Sequence, residues 1–424
     1  MANVFSNNSK TKLFAAAVMD NLPFIMDARS YLADQVEGKK SGMTYRFYIP
    51  DPGVAEAGTS NLTVDDTSPK AGVYEREITC QLLDGKAVVS LTSWNKMTNI
   101  ESFVEQIANT RGRRTGSEIN KSVINSEWVR SFGVVTGYTS SNISMQPLAD
   151  AAALLRGIKS DGKHVGFGHP TIFGALGVKA LSNFVPNEIN KAIYEDDYLG
   201  RYNKVEWIEE QFCPVLKIGA TAPAITGVTL SGSTLTVAGT NLQRGLVFKL
   251  ADADGVTVKN ADLNGMETQE DACFILDQAR DDSGNFSGDF IVEDVRFSFI
   301  NGATANMTNV AVADSVIQTN PTVIGNGIPA TVAALTVVPV VGFTANKKYS
   351  IMLVRDKDAL EFDTYKFEDL PGCENTTQKA GKLTCQAVEW GDIRTRNAII
   401  RLDLPYIAKI VDKRLMRLIY IEMA

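Results

Sequence analysis

Apolar residues along this chain change their spacing several times, and each change marks a boundary. From Leu13 to Glu37 (LFAAAVMDNLPFIMDARSYLADQVE) they recur at helical intervals on both sides of Pro23, which predicts two short helices meeting at the proline. These form an N-terminal helical arm, residues 1–43. At Thr44 the spacing shortens to the alternation of TYRFYIPDP, and two further alternating runs, VYEREITCQL and KAVVSLTSW, flank Asp84-Gly85. That dipeptide is a hairpin turn signal, so residues 44–98 predict an extended β loop with a hairpin in it.

The period then switches to that of a helix. Thr98 and Glu101 fit a capping box, and Ile100, Phe103, Val104 and Ile107 form one apolar face. Ile119, Val123, Ile124, Trp128 and Phe132 continue that face. Residues 99–132 therefore predict a single helix of about 34 residues, ~50 Å long at 1.5 Å per residue. Its middle reads TRGRRTG. Gly112 and Gly116 each cost ~1 kcal/mol relative to alanine in a helix interior, so the pair marks a site of bending or close packing, a candidate hinge. Arg111, Arg113 and Arg114 beside them have three readings: contact with a nucleic acid, ion pairs to a neighbouring loop, or a solvated helix face.

Helix and strand patterns alternate from Gly133 to Ala220, including PLADAAALLRGI, the strand-like HVGFG and a helix from Pro170, and this alternation predicts an α/β core. At Ala220 the texture changes to short β segments punctuated by Gly, Asn and Asp, which predicts an all-β insertion over residues 222–345. After it, YSIMLVRDKDALEF and the alternating strands that run to IYIEM must bury their apolar faces, and the earlier core is the place to do so.

Charge and chemistry narrow the function by exclusion. The net charge of -7 gives no bulk nucleic-acid signature. Cys80, Cys213, Cys273, Cys373 and Cys385 are odd in number and scattered, which suggests a reducing compartment rather than a disulfide framework or zinc site. The only histidines, His164 and His169, have no metal-spaced partners beside them, and both read as structural. Phosphate-loop and nucleophile-elbow motifs are missing, and the acidic runs LADADGVTV and RDDSGNFSGD lack the carboxylate spacing of a calcium loop. Neither a signal peptide nor a membrane span is expected: LFAAAVM has no small-residue cleavage site, and IPATVAALTVVPVVGFTA is short and interrupted by proline. Asn-x-Ser/Thr triplets at Asn61, Asn142, Asn306 and Asn375 matter only in a glycosylating route. The chain reads as a binding or structural protein, not an enzyme, with no cofactor.

The order of elements, together with EEQFCPVLKIGATAPAITGVTLSG leading into the insertion and DKDALEF following it, resembles the major capsid (coat) proteins of tailed bacteriophages. These have the Hong Kong ninety-seven-type fold, and the resemblance is to the short-tailed-phage branch that carries an inserted β-barrel domain. It implies an α+β fold with residues 44–98 as extended loop, 99–133 as spine helix of a peripheral domain and 134–221 as the first part of an axial domain. Residues 222–345 would be the inserted domain, and 346–424 would complete the axial and peripheral sheets. The implied function is self-assembly into hexamers and pentamers of an icosahedral shell around double-stranded DNA, built in the host bacterial cytoplasm and ending in the virion capsid. The implied partners are other copies of the chain, a separate scaffolding protein (only some 40 residues precede the loop), a portal protein and non-specifically contacted DNA, with no membrane. No lysine–asparagine crosslinks are expected. In the insertion, Asp281 and Asp282 are candidate inter-subunit contacts or solvated turn residues. Two other assignments fit parts of the chain: an encapsulin-like compartment shell, and a surface adhesin, because ITGVTLSGSTLTVAGTNL also resembles an Ig-like module.

Overall fold

The computed structural model describes residues 7–25, 28, 44–50, 75–92, 102–129, 131, 133–141, 143–157, 163–183, 200–231, 234–251, 258–260, 273–276, 289–291, 295–300, 307–312, 336–392, 397–410 and 415–423. Its elements fall into two compact units built from segments far apart in the chain. Met1–Tyr48, Glu77–Glu127 and Lys357–Val411 make the first, and Ile49–Arg76, Trp128–Asp356 and Asp412–Ala424 the second.

Helix α1 (Asn7–Met19) opens the chain. Strands β1 (Thr44–Pro50) and β2 (Glu75–Gln81) then pair as a two-stranded ribbon. The expected alternating runs are thus strands, but the hairpin expected at Asp84-Gly85 does not form. Both residues lie inside β3 (Leu83–Thr92), opposite Pro405 and Leu404 of the long strand Asn397–Ile410, which offers β3 ten consecutive partners. An ideal Cβ on Gly85 would stand 2.5 Å from Ile119 Cδ1, so the glycine admits a helix lying on the sheet and makes no turn.

That helix is α2 (Ser102–Glu127). Ala108, Gly112, Thr115, Gly116, Ile119, Asn120, Val123, Ile124 and Glu127 are buried at spacings of three and four, so one stripe faces inward as expected. The helix ends earlier than its apolar pattern. Buried Glu127 accepts the Ile410 N–H at 2.9 Å, and the chain turns at Trp128 and Val129. The expected capping box at Thr98 lies outside the described residues.

Strands β19 (Leu360–Thr364), β20 (Glu374–Ala380), β21 (Leu383–Asp392) and β22 (Asn397–Ile410) complete the first unit in the order β19-β22-β21-β20. Strand β3 also pairs with β22. The fourteen residues of β22 are the template, because they pair with β3, β19 and β21. Helix α1 lies against α2, β20 and β21, with Phe14, Ala15 and Val18 wholly buried.

In the second unit the alternation of residues 134–221 is realised as β4 (Gly133–Thr139), α3 (Gln146–Gly157), β5 (His164–Gly168), α4 (Pro170–Asn183), β6 (Gly200–Tyr202), β7 (Val205–Glu209) and β8 (Val215–Lys217). Strands β18 (Lys348–Asp356) and β23 (Met416–Met423) join them in a seven-stranded sheet ordered β4-β23-β18-β5-β7-β6, with β8 also on β18. The returning C-terminal strand therefore does enter the earlier core, running parallel to β4. Leu148 and Leu155 of α3 and Phe173 and Leu176 of α4 are buried in one cluster with Trp207 and Ile421.

Between β8 and β18 the described residues contain strands and loops but no helix. The strands are β9 (Ala224–Ser231), β10 (Thr234–Thr240), β11 (Val247–Ala251), β12 (Val258–Asn260), β13 (Phe274–Ile275), β14 (Asp289–Ile291), β15 (Val295–Ile300), β16 (Met307–Val312) and β17 (Thr336–Pro339). They form three three-stranded sheets, β14-β10-β9, β13-β11-β17 and β12-β15-β16. No described helix is long and apolar enough to cross a membrane.

Candidate assembly surfaces

Gly112 and Gly116 sit where α1 crosses α2. A Cβ on Gly112 would lie 2.7 Å from the Phe14 carbonyl oxygen and 2.8 Å from Ala17 Cβ; one on Gly116 would lie 2.6 Å from the Val18 oxygen and 3.0 Å from Asn21 Cβ. Only hydrogen fits at either position. The backbone of α1 thus approaches α2 closely, and Asn120 of α2 fixes the chain beyond it by accepting the Phe24 N–H at 3.2 Å. Close packing accounts for both glycines.

Arg111, Arg113 and Arg114 occupy the opposite, exposed side of α2 and have no ion-pair partner among the described residues. Asp281 and Asp282 lie outside the described residues.

A second charged group spans β3 and β22. Arg401 Nε donates to Asp403 Oδ1 at 2.6 Å, and Arg401 Nη2 donates to Asp84 Oδ2 at 3.3 Å. Burial and the neighbouring Asp403 carboxylate raise the Asp84 carboxyl above 3.8, while Arg401 and Lys86 pull it down. One guanidinium therefore ties together two carboxylates that repel each other.

In the second unit the chain between β8 and β18 starts and ends at a narrow neck. Val215 and Lys217 pair with Ser350 and Lys348, the Ile218 N–H donates to Lys347 O at 2.9 Å, and the Asn346 N–H donates to Gly219 O at 2.9 Å. The chain thus leaves β8 and returns to β18 at hydrogen-bonded neighbours. Above the neck, Tyr420 OH donates to Gly245 O at 2.8 Å. Gly245 has φ +96, and a Cβ there would stand 2.5 Å from the Trp128 ring, so both backbone conformation and space demand glycine. Arg244 stacks over Trp128 at 5.8 Å, and Phe343 makes edge contacts with Tyr349 and Tyr420 at 5.0 and 6.1 Å. Tyr349 OH accepts the Thr344 N–H at 2.9 Å and lies 3.3 Å from Glu422 Oε2. These contacts join Gly245 and Phe343 to β18 and β23. No short motif announces them, since their members come from four distant segments.

The groups with chemical potential are used internally. His164 is buried on β5 with its Nε2 3.5 Å from Asp356 Oδ2, and its register partner is Asp356 itself. His169 starts α4, its Nδ1 accepting the Thr171 N–H at 3.3 Å. Both are in structural positions. Burial pushes the Cys385 thiol up to about 12 and raises Cys213 as well, so both are held in the unreactive thiol form. Among the described residues Cys213, Cys273, Cys373 and Cys385 form no disulfide, and no group of three or more His, Cys, Asp or Glu is placed to hold a metal.

No family model matches the chain, and no curated protein does. Among solved structures it is similar to the capsid of Ralstonia phage GP4, at 7% identity over 90% of this chain and 84% of that one, with a TM-score of 0.43. It is similar to the capsid of the cyanophage P-SCSP1u, at 9% identity over 91% and 85% of the two chains, with a TM-score of 0.40. A virus-like particle from Pyrococcus furiosus shares 9% identity over 96% and 97%, with a TM-score of 0.36.

Proposed function

We propose that this chain is a shell protein, the major capsid protein of a tailed bacteriophage, and that it assembles into hexamers and pentamers of an icosahedral capsid around double-stranded DNA. The observation that carries the reading is the threading of the chain. A long helix and a β ribbon lead into one sheet, a helix-covered second sheet follows, an all-β segment interrupts it at a neck, and the last strands return to both sheets. That order is the one the capsid resemblance implies.

Under this reading the β1–β2 ribbon belongs to the extended loop, α2 is the spine helix, and the seven-stranded sheet is the axial core. The hydrogen-bonded neck at Gly219 and Asn346 supports an inserted domain over residues 222–345. The role needs broad surfaces complementary to other copies and no catalytic step. Gly112 and Gly116 serve first as the crossing with α1, so a hinge there moves α1 with it. A scaffolding protein directs closure, a portal protein occupies one vertex, and contact with DNA is non-specific.

Electron microscopy of the expressed chain, alone and with a candidate scaffolding protein, tests the proposal. Uniform closed shells are expected only with the scaffold. Uniform shells of one size from the chain alone would remove the scaffold from the account, and the absence of shells under both conditions would remove the function.

A further inference from the structure

Two oppositely charged surfaces of the first unit carry side chains with no ion-pair partner among the described residues. One is the exposed face of Arg111, Arg113 and Arg114 on α2. The other is the connection between β19 and β20, residues 365–373, with Glu374 at its end.

The connection is firmly held. Asn375 Nδ2 donates to Leu370 O at 2.8 Å and to Cys373 O at 3.2 Å, while its Oδ1 accepts the Leu370 N–H at 3.3 Å. Gln386 Nε2 donates to Asp369 Oδ1 at 3.2 Å, Lys366 pairs with Asp369 at 3.0 Å, and the Tyr365 N–H donates to Pro405 O at 2.9 Å. Yet Leu370 is 52% exposed beside exposed Pro371, between the exposed acids Glu368 and Glu374. Neither acid has an ion-pair partner among the described residues. A fixed loop that presents an apolar side chain flanked by unpaired acids has already met the ordering cost of binding.

We infer that this loop of one copy docks on the α2 arginine face of another copy of the chain, Glu368 and Glu374 meeting Arg111, Arg113 and Arg114, with Leu370 packed on the arginine stems. The inference rests on the shell reading. Opposite charge sets the pairing and its register, and arginine stems supply apolar cover for the leucine. Because the two patches differ, the contact is head-to-tail, and a head-to-tail contact repeated by one rotation closes into a ring. A ring is what a hexamer or pentamer is. Phosphates would be attracted to the arginines but repelled by the acidic loop, so a nucleic acid explains only one of the two surfaces.

Charge reversal tests the pairing. Arg113→Glu with Arg114→Glu, and separately Glu368→Lys with Glu374→Lys, should each lower the yield of assembled particles at least tenfold while the unassembled subunit melts at an unchanged temperature. The chain carrying all four changes should recover assembly. The inference is overturned if either reversal assembles like the unaltered chain, or if the four changes together restore nothing. It is also overturned if the arginine variant assembles normally but retains less DNA, which would make that face a nucleic-acid contact. These outcomes are read against an unaltered chain that forms shells with its scaffold. If the unaltered chain forms none, the shell reading itself fails, and the pairing falls with it.

Discussion

Two sets of arginines, one in each unit, are treated in opposite ways. In the second unit Arg355 and Arg417 are wholly buried on adjacent strands, Arg355 opposite Met416 and Arg417 opposite Val354. Arg417 Nη1 donates to Met416 O at 2.8 Å, Arg355 Nη1 donates to Asp356 O at 3.2 Å, and the Arg355 guanidinium lies 5.7 Å over the Phe167 ring. In the first unit Arg111, Arg113 and Arg114 stand exposed on one helix. A buried cation is costly to desolvate, so it must find its hydrogen bonds inside the fold. An exposed, unpaired one costs the fold little and leaves the surface available to a partner. Arg355 and Arg417 serve the core of their own sheet, whereas Arg111, Arg113 and Arg114 stand on the surface of theirs.

The largest expected effect tests the buried half of this contrast. Arg417→Ala should destabilise the second unit by about 2–5 kcal/mol, because it empties the space of a fully buried side chain on β23, between β18 and β4. Equilibrium denaturation of the soluble subunit measures this, and a loss below about 1 kcal/mol would mean that the sheet is not packed around this side chain.

Gly116→Ala comes next. In an exposed helix the change would stabilise by ~1 kcal/mol through helix propensity. Here the new methyl meets the Val18 carbonyl, so a net loss of about 1–3 kcal/mol is expected, together with faster amide exchange in α1. Stabilisation would show that α1 does not cross there. The same overlap makes alanine a poor probe of a hinge, since it displaces α1 before it stiffens α2.

How far such features can be read from the chain alone depends on the distance between the groups that make them. The strands, the buried stripe of α2 and the β texture of the insertion are written in local periodicity, and the structure has them. Asp84-Gly85 misled because a turn dipeptide is a local preference, whereas its strand partner lies some 300 residues away on β22. The glycine pair of α2 showed that something was close, but its partner α1 lies about 100 residues earlier. The loop clamp had no visible signature at all: Asn375 stood out only as part of an Asn-x-Thr triplet, and its three hydrogen bonds follow from a turn that no periodicity encodes. Arg417, in the run MRLIYIEM, alternates onto the same face as Ile419 and Ile421 of the helix-covered cluster, and nothing in the run itself marks a buried arginine.

Smaller effects refine the picture of the first unit. Asp84 is raised above 3.8, so the folded chain keeps this proton to higher pH than the unfolded chain does. Its contribution to stability is fully present below 3.8 and is lost as pH rises through the raised value. Asp84→Asn abolishes that titration, so the variant should gain on the unaltered chain as pH rises from acid to neutral. Denaturation midpoints across that range measure the gain, and a constant difference would contradict the shift. Smallest of all, Arg113→Ala should change subunit stability by no more than about 0.5 kcal/mol, as an exposed side chain without a partner requires. A larger loss would place Arg113 among the residues that hold the fold.

The central claim is that these surfaces exist for copies of the same chain. Electron microscopy of particles purified after co-expression with a candidate scaffolding protein addresses it most directly. The account predicts closed icosahedral shells whose vertices and faces average to pentamers and hexamers of this chain. A folded subunit that stays monomeric, with neither rings nor shells under those conditions, would contradict it.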